Sequence, residues 1–414
     1  KNAKSGIYVW GQGRNGASLT ISNDNQAEHA VKIRNTAAEK DAAILVDGRS
    51  VKDGGSAKLV IKGLVDVEND DVSVIQANKG DVSIGGGKII AKGDKASSLK
   101  INNDGKIQIN GNLSDRNVLT AGAVKHDVQI EGNVLAQKGR LGLVLNTDGS
   151  YIKGLIGTDA GTAGQTYMML SDGASWYHEG KGARTDGIKE SKIKNLEADG
   201  GNIYQKNEKP ITIENYKGNM KLFYKHENAG TKAEDYKSGD VHIGSAAEGS
   251  RITVVTDNSG ITMTDEAQIY EVLNALAGKL YYDAYKTGEE KLTGQATIAE
   301  GLTSSSKTLE MKDMLFKKEN GQGYVQGKPT PPPLVNPVRH QIVEANYFAE
   351  EARDFWSKAG VYDGKGHYKF DHDLSLVTHA EDDPVTTVND NKFGNIYWNG
   401  DVVGDIDMTG HRLE

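Results

Sequence analysis

Along the first 260 positions, short runs with an apolar residue at every second place alternate with Asn, Asp and Gly turns. The clearest repeat lies within residues 59–137. It reads Leu59-Val60-Ile61-Lys62-Gly63, Val82-Ser83-Ile84-Gly85-Gly86, Ile107-Gln108-Ile109-Asn110-Gly111 and Val128-Gln129-Ile130-Glu131-Gly132. Each copy sets two branched apolar residues two apart and closes on a glycine two positions later. Period two predicts a half-buried strand, with one face covered and one face wet. A recurrence in the low twenties, made of strands and glycine turns, predicts a solenoid whose repeats stack on one another. Further runs at Ile7-Tyr8-Val9-Trp10, Leu19-Thr20-Ile21, Val31-Lys32-Ile33, Ile44-Leu45-Val46, Leu99-Lys100-Ile101 and Leu141-Gly142-Leu143 bring the count to about three strands per repeat. That count fits a three-sided parallel β-helix, an all-β solenoid, with Val, Ile and Leu inward and Lys, Ser, Gln and Glu outward.

The rhythm loosens between 151 and 200 and returns at Ile193, Ile203, Ile211-Thr212-Ile213 and Leu222. The runs at Val241-His242-Ile243 and Ile252-Thr253-Val254 close the strand series. At Asp265 the period changes. Asp265 with Gln268 resembles a capping box, and Ile269, Val272, Leu273 and Leu276 share one helical face before Gly278. Alternating segments at 280–282, 292–298 and 312–317 follow, read as hairpins. Helix and hairpins together are expected to cap the open end of the solenoid, where bare strand edges invite aggregation. Five of the seven prolines fall within 327–338, the composition of a semi-rigid linker. The expected organisation is therefore residues 1–260 as solenoid, 261–326 as cap, 327–338 as linker and 339–414 as a tail of unassigned fold with a candidate helix over 342–359.

Composition sharpens this in three respects. Apolar residues make up 37% and glycines number 50, which suits a slim stack with a turn at every corner. A net charge of -8 argues against nucleic acid or an anionic membrane surface as partner. Cysteine is absent, which suits a chain that crosses a membrane unfolded, and no apolar run reaches the ~20 residues of a spanning helix. The chain opens on Lys-Asn with no legible signal peptide, which reads as a mature or excised fragment.

A family resemblance enters at Trp176. The sequence of Ala174-Ser175-Trp176, Ser191-Lys192-Ile193-Lys194-Asn195-Leu196, Gly200-Gly201-Asn202-Ile203, Ile211-Thr212-Ile213-Glu214-Asn215-Tyr216 and Lys217-Gly218-Asn219-Met220-Lys221-Leu222 resembles the end of the passenger domain of type Va autotransporters, the AIDA and pertactin group. Leu273-Asn274-Ala275-Leu276-Ala277-Gly278-Lys279-Leu280-Tyr281-Tyr282 and Ile298-Ala299-Glu300-Gly301-Leu302-Thr303 look more narrowly like autotransporters of the Negativicutes, such as Veillonella. The resemblance covers roughly 170–324. It implies a right-handed β-helix exported to the cell surface, whose last turns fold first. The translocating barrel the family carries is not legible after Val338, where no repeated ten-residue alternating strands follow.

Candidate chemistry is sparse. No Gly-Asp-Ser-Gly or Gly-x-Ser-x-Gly nucleophile motif is present. Asn146-Thr147-Asp148 matches a polygalacturonase motif by letter, but the paired aspartates, Gly-His-Gly and Arg-Ile-Lys that should follow do not. Asp70-Asp71 comes too early and Asp382-Asp383 too late. His367, His372 and His379 with Asp363, Asp371 and Asp373 cluster in the tail without a metal-ligand spacing, and read as a solvated loop. Tyr270, Tyr281, Tyr282 and Tyr285 could form a carbohydrate platform but read better as core of the cap. Tyr8 and Trp10 are expected to cap the first repeat. No catalytic, cofactor-binding or metal-binding residue is therefore assigned, and no cofactor. The expectation is a non-enzymatic surface adhesin that binds a host glycan or protein receptor, or a second copy of itself. A β-helical polysaccharide lyase or hydrolase is the alternative, and a stalk presenting the tail is the third reading.

Overall fold

The computed structural model describes residues 4–14, 16–23, 26–35, 41–51, 56–70, 72–93, 96–157, 164–180, 188–225, 232–257, 266–297, 313–325, 368–369 and 406–407. The chain is all-β with parallel strands. Its segments pair with the segment one repeat later, in three recurring ladders. The first runs Ile7–Gly13, Ile44–Val51, Ile75–Asn78, Leu99–Asn102, Val134–Ala136 and Ile156–Gly157. The second takes Ala17–Ile21, 57–61, 81–84, Gly105–Ile109, Gly139–Leu145, Gln165–Ser171, 195–199 and 215–218. The third takes Val31–Asn35, 65–69, 87–91, Val128–Glu131, Tyr151–Lys153, Ser175–His178, 202–205, 219–225, Ser250–Asp257 and Leu292–Thr297. Beyond Gly157, residues 191–193, 211–213, 241–243 and 280–282 continue in parallel, and the Ile156 N–H donates to Ser191 Oγ at 2.9 Å across the join.

Parallel register explains the core. In register on the third ladder stand Val67, Ile89, Ile130, Ile152, Trp176, Ile203, Leu222, Val254 and Ala296, every one fully buried. Each large member removes enough apolar surface from water to contribute about 2 kcal/mol, before the cost of ordering the chain. The burial alternates residue by residue over 57–69, as the sequence period requires.

Two sequence expectations are corrected by register. The fourth copy of the repeated phrase, Val128 to Gly132, does not continue the ladder of the first three. An antiparallel hairpin, Gly111–Leu113 with Leu119–Ala121, is inserted there, so Val128–Glu131 joins the third ladder. Leu141 and Leu143 take the second-ladder places opposite Ile107 and Ile109. Nor do the ladders close at 251–255, since Leu280–Tyr282 and Leu292–Thr297 add as two more parallel strands rather than as a hairpin. A three- to six-residue alternating run reads the same whichever way its partner runs.

The end of the stack is covered by a helix, α1 (Glu266–Ala277), and an antiparallel pair, Asp313–Phe316 with Gly323–Val325. Ile269, Val272, Leu273 and Leu276 of α1 are fully buried, as the helical spacing predicts. The Tyr270 hydroxyl donates to the Val325 carbonyl at 3.0 Å, and Asn274 Oδ1 accepts the Val325 N–H at 3.1 Å. Contacts group residues 1–304 and 311–329 into one compact unit, and 305–310 with 330–414 into a second. The described residues of the segments 1–260 and 261–326 lie in the first unit, while 305–310 group with the second. Of the second unit, the described part is a parallel pair, Tyr368–Lys369 with Ile406–Asp407. The linker over 327–338, the candidate helix over 342–359, Asp265, and the tail cluster of Asp363, His367, Asp371, His372, Asp373 and His379 lie outside the described residues. No helix among the described residues is long and apolar enough to cross a membrane.

Candidate functional site

A groove of about 870 Å³ runs beside the outer face of the first ladder. Strand alternation builds it. Val9, Ile44, Val46, Ile75 and Ala77 point inward and are buried, so Tyr8, Leu45, Asp47, Gln76 and Asn78 face out. Parallel register then lines Trp10, Asp47, Asn78 and Asn102 into one column and Tyr8, Leu45 and Gln76 into the next. At the rim the chain turns through Asn103 and Asp104 at φ 52° and 63°, a left-handed pair that short polar side chains tolerate.

The groove holds one closed ion pair and a set of carboxamides. Arg49 Nε donates to both Asp47 carboxylate oxygens at 3.0 Å, its Nη2 donates to Oδ2 at 2.5 Å, and the Arg49 backbone N–H donates to Oδ1 at 3.0 Å. The Arg49 guanidinium holds the Asp47 carboxyl below its usual range despite burial. Asn78 Oδ1 accepts from Gln76 Nε2 and from Asn102 Nδ2, both at 3.0 Å. Asn102 Oδ1 is buried and has no donor among the described residues. Tyr8 and Trp10 are 56% and 48% exposed. Both stand outward, Tyr8 at the groove end, which corrects the expectation that they cap the first repeat. It is Val9 between them that turns inward. Burial, and next the Asp47 charge, raise the Tyr8 phenol, so it is a hydroxyl donor at neutral pH.

The other sequence candidates resolve into structural roles. Asn146 is 4% exposed and its Oδ1 accepts from Asn110 Nδ2 at 2.9 Å, one repeat below. Thr147 donates to Asp127 Oδ1 at 2.6 Å, so the Asn-Thr-Asp match is a turn bonded to its neighbour. Asp70 begins a turn with its N–H on Asn69 Oδ1, while Asp71 and Asp382-Asp383 lie outside the described residues. Of the cap tyrosines only Tyr282 is core, while Tyr270, Tyr281 and Tyr285 are half-buried. Tyr282 is fully buried edge-on to Phe316 at 5.6 Å, Tyr285 tilts against the same ring, and Tyr281 stacks on His242 at 4.7 Å. Among the described residues no three His, Asp or Glu are placed to hold a metal ion.

Two clusters escape sequence reading. On the outer face of the third ladder Tyr177, Tyr204 and Phe223 stack at 4.7 and 4.5 Å, with Lys206 Nζ 4.9 Å from the Tyr177 ring. Their faces are covered by one another, so the column stabilises the stack and leaves only ring edges for a ligand. Inside, Trp176 Nε1 donates to the Gly154 carbonyl at 3.0 Å. His178, also fully buried, lies 2.5 Å from Gln205 Oε1 through Nδ1 and 2.8 Å from Ser191 Oγ through Nε2. The members of each cluster come from different repeats, and spacings of 27 and 19 residues carry no local signal.

Compared with protein-family models, with curated proteins and with solved structures, the chain finds no match in any of the three.

Proposed function

We propose that the first unit is a right-handed, three-sided parallel β-helix, that it is the passenger of a type Va autotransporter, and that it acts at the cell surface as an adhesin. The fold reading rests on three ladders visited in the same order by each repeat, which is the connectivity of a chain winding about one axis. The passenger reading rests on the Trp176 region and the helix with its flanking strands, whose residues carry the family resemblance. The observation that carries recognition over catalysis is the groove at Asp47. A glycosidase uses a pair of carboxyls, and this groove is lined by two, Asp41 and Asp47, so both would have to take part. Asp47 is closed onto Arg49 by three side-chain hydrogen bonds and is held ionised, so it positions rather than reacts.

The reading is tested by displaying the chain on non-aggregating cells and measuring settling and attachment to host cells. Increased settling or attachment is expected. Cells that do neither would remove the adhesin reading. A stalk that presents its tail is the second reading, favoured by the separate grouping of 330–414. Deleting residues 338–414 decides between them, because adhesion by the ladders survives that deletion.

A further inference from the structure

Five successive repeats contribute to the groove: Tyr8 from the first, Asp47 and Arg49 from the second, Asn78 from the third, Asn102 from the fourth and Lys138 from the fifth. Strands in a ladder stand about 4.8 Å apart, so the groove extends roughly 19 Å along the stack, a length suited to an extended polymer. A ligand lying in it passes Asp47, Asn78 and Asn102, one from each of three successive repeats in a single column.

The lining selects the chemistry of that polymer. Lys4, Arg49 and Lys138 face Asp41 and Asp47, three positive charges against two negative, or +1. Arg49 is already closed onto Asp47, and Lys138 Nζ lies 3.9 Å from Asp104. Little positive field is left to hold a polyanion, which is bound by several uncompensated cations. The remaining polar lining is the Ser5 and Tyr8 hydroxyls and five carboxamides, Gln76, Asn78, Asn102, Asn103 and Gln137, groups able both to donate to and accept from hydroxyls. Tyr8 is not stacked on another ring among the described residues, unlike Tyr177 and Tyr204, so it can pack on the C–H face of a sugar ring.

We infer that this groove binds an uncharged linear glycan lying along the stack, with Tyr8 packing on a sugar ring and the half-exposed Gln76 of the same column hydrogen-bonding a sugar hydroxyl. The inference rests on the recognition reading above and gives it a ligand class. The experiment is titration calorimetry of the whole chain with hexaoses of glucose, galactose and mannose, and with heparin and polygalacturonate as the charged arm. At least one hexaose binds, with an affinity that changes less than about twofold between low and high salt, as screening leaves neutral contacts alone. Tyr8→Ala and Gln76→Ala each weaken that binding about tenfold or more, and Tyr177→Ala on the third ladder leaves it unchanged. Tyr8 is exposed, so Tyr8→Ala keeps the wild-type circular dichroism and unfolding midpoint. Three results each overturn the inference: no hexaose binds; binding is confined to heparin or polygalacturonate and disappears in salt; or Tyr8→Ala binds as the wild type does. A protein receptor as the true occupant would appear as the first of these with cell attachment intact. Cells displaying Tyr8→Ala separate the two proposals. Undiminished settling removes the glycan and leaves the adhesin, while hexaose binding by a chain that confers no adhesion does the reverse.

Discussion

His178 enters the core without its charge. Burial drives its pKa from 6.5 down to about 4; the Gln205 hydrogen bond opposes that and the Lys209 charge adds to it. Its geometry agrees with a neutral ring whose Nδ1–H donates to Gln205 Oε1 and whose Nε2 accepts from Ser191, leaving the Ser191 oxygen to accept the Ile156 N–H. The linkage has a definite sign. Above pH 6.5 neither the folded nor the unfolded chain binds the proton. Between 6.5 and 4 only the unfolded chain does, so stability falls as pH falls, by about 3 kcal/mol across the window. His178→Gln keeps a donor for Gln205 and removes the titration. Denaturant unfolding at pH 7 and pH 5 is expected to show the wild type losing about 2 kcal/mol more than this variant. Equal losses would mean that another group carries the acid sensitivity.

At the scale of the strand, the corners decide which residues are irreplaceable. Gly218 adopts φ +98°, and a Cβ there would sit 1.8 Å from the Ala198 carbonyl oxygen in the repeat below. Gly87 makes the same close approach to Val65 at φ +105°. Gly200 also has positive φ, yet nothing lies within 4 Å of its Cβ direction. Gly218→Ala thus meets both backbone strain and a backbone clash, and is expected to cost about 3 kcal/mol or more. Gly200→Ala meets strain alone, about 1 kcal/mol. Thermal unfolding of the pair checks the ranking, and equal costs would show that repeats can shift apart at a corner without penalty.

Across the first unit the parallel pairing joins adjacent repeats, so stability is close to a sum of local terms, with Lys125 to Asp172 reaching two repeats on at the hairpin. The two ends differ. Leu292–Thr297 is covered by the antiparallel strands and α1, whereas the first repeat keeps Leu19 38% exposed although Leu59 one repeat on is fully buried. Local opening should therefore cost least at the first repeat and more in the middle. Hydrogen exchange read by mass spectrometry is expected to give the weakest protection over Ala17–Ile21 and much stronger protection over Gly139–Leu145. Uniform protection would instead make the unit a single cooperative block. Surface pairs such as Lys153 with Glu131 alter this little, since exposed ion pairs contribute at most about 1 kcal/mol each.

How much was legible in the chain follows from which signals are local. Alternation is local, so Leu59, Ile61, Val82, Ile84, Ile107 and Ile109 declare their burial in the sequence itself, and Ile269, Val272, Leu273 and Leu276 declare the helix. The absence of a nucleophile motif is equally local. Register is not, because a strand's partner lies twenty or more residues away and its choice depends on every insertion between them. The hairpin over 111–121 moved Val128 and Ile130 to another ladder with no change in their own pattern. The groove and the His178 network are products of register in the same way. Tyr8, Asp47, Asn78 and Asn102 are ordinary polar or aromatic positions in four separate runs. By itself the sequence determined that this chain alternates, turns on glycine and repeats at a period in the twenties. Only the tertiary structure decided which outward residues share a column, because side chains far apart in the chain become neighbours only once the backbone hydrogen bonds between repeats are made.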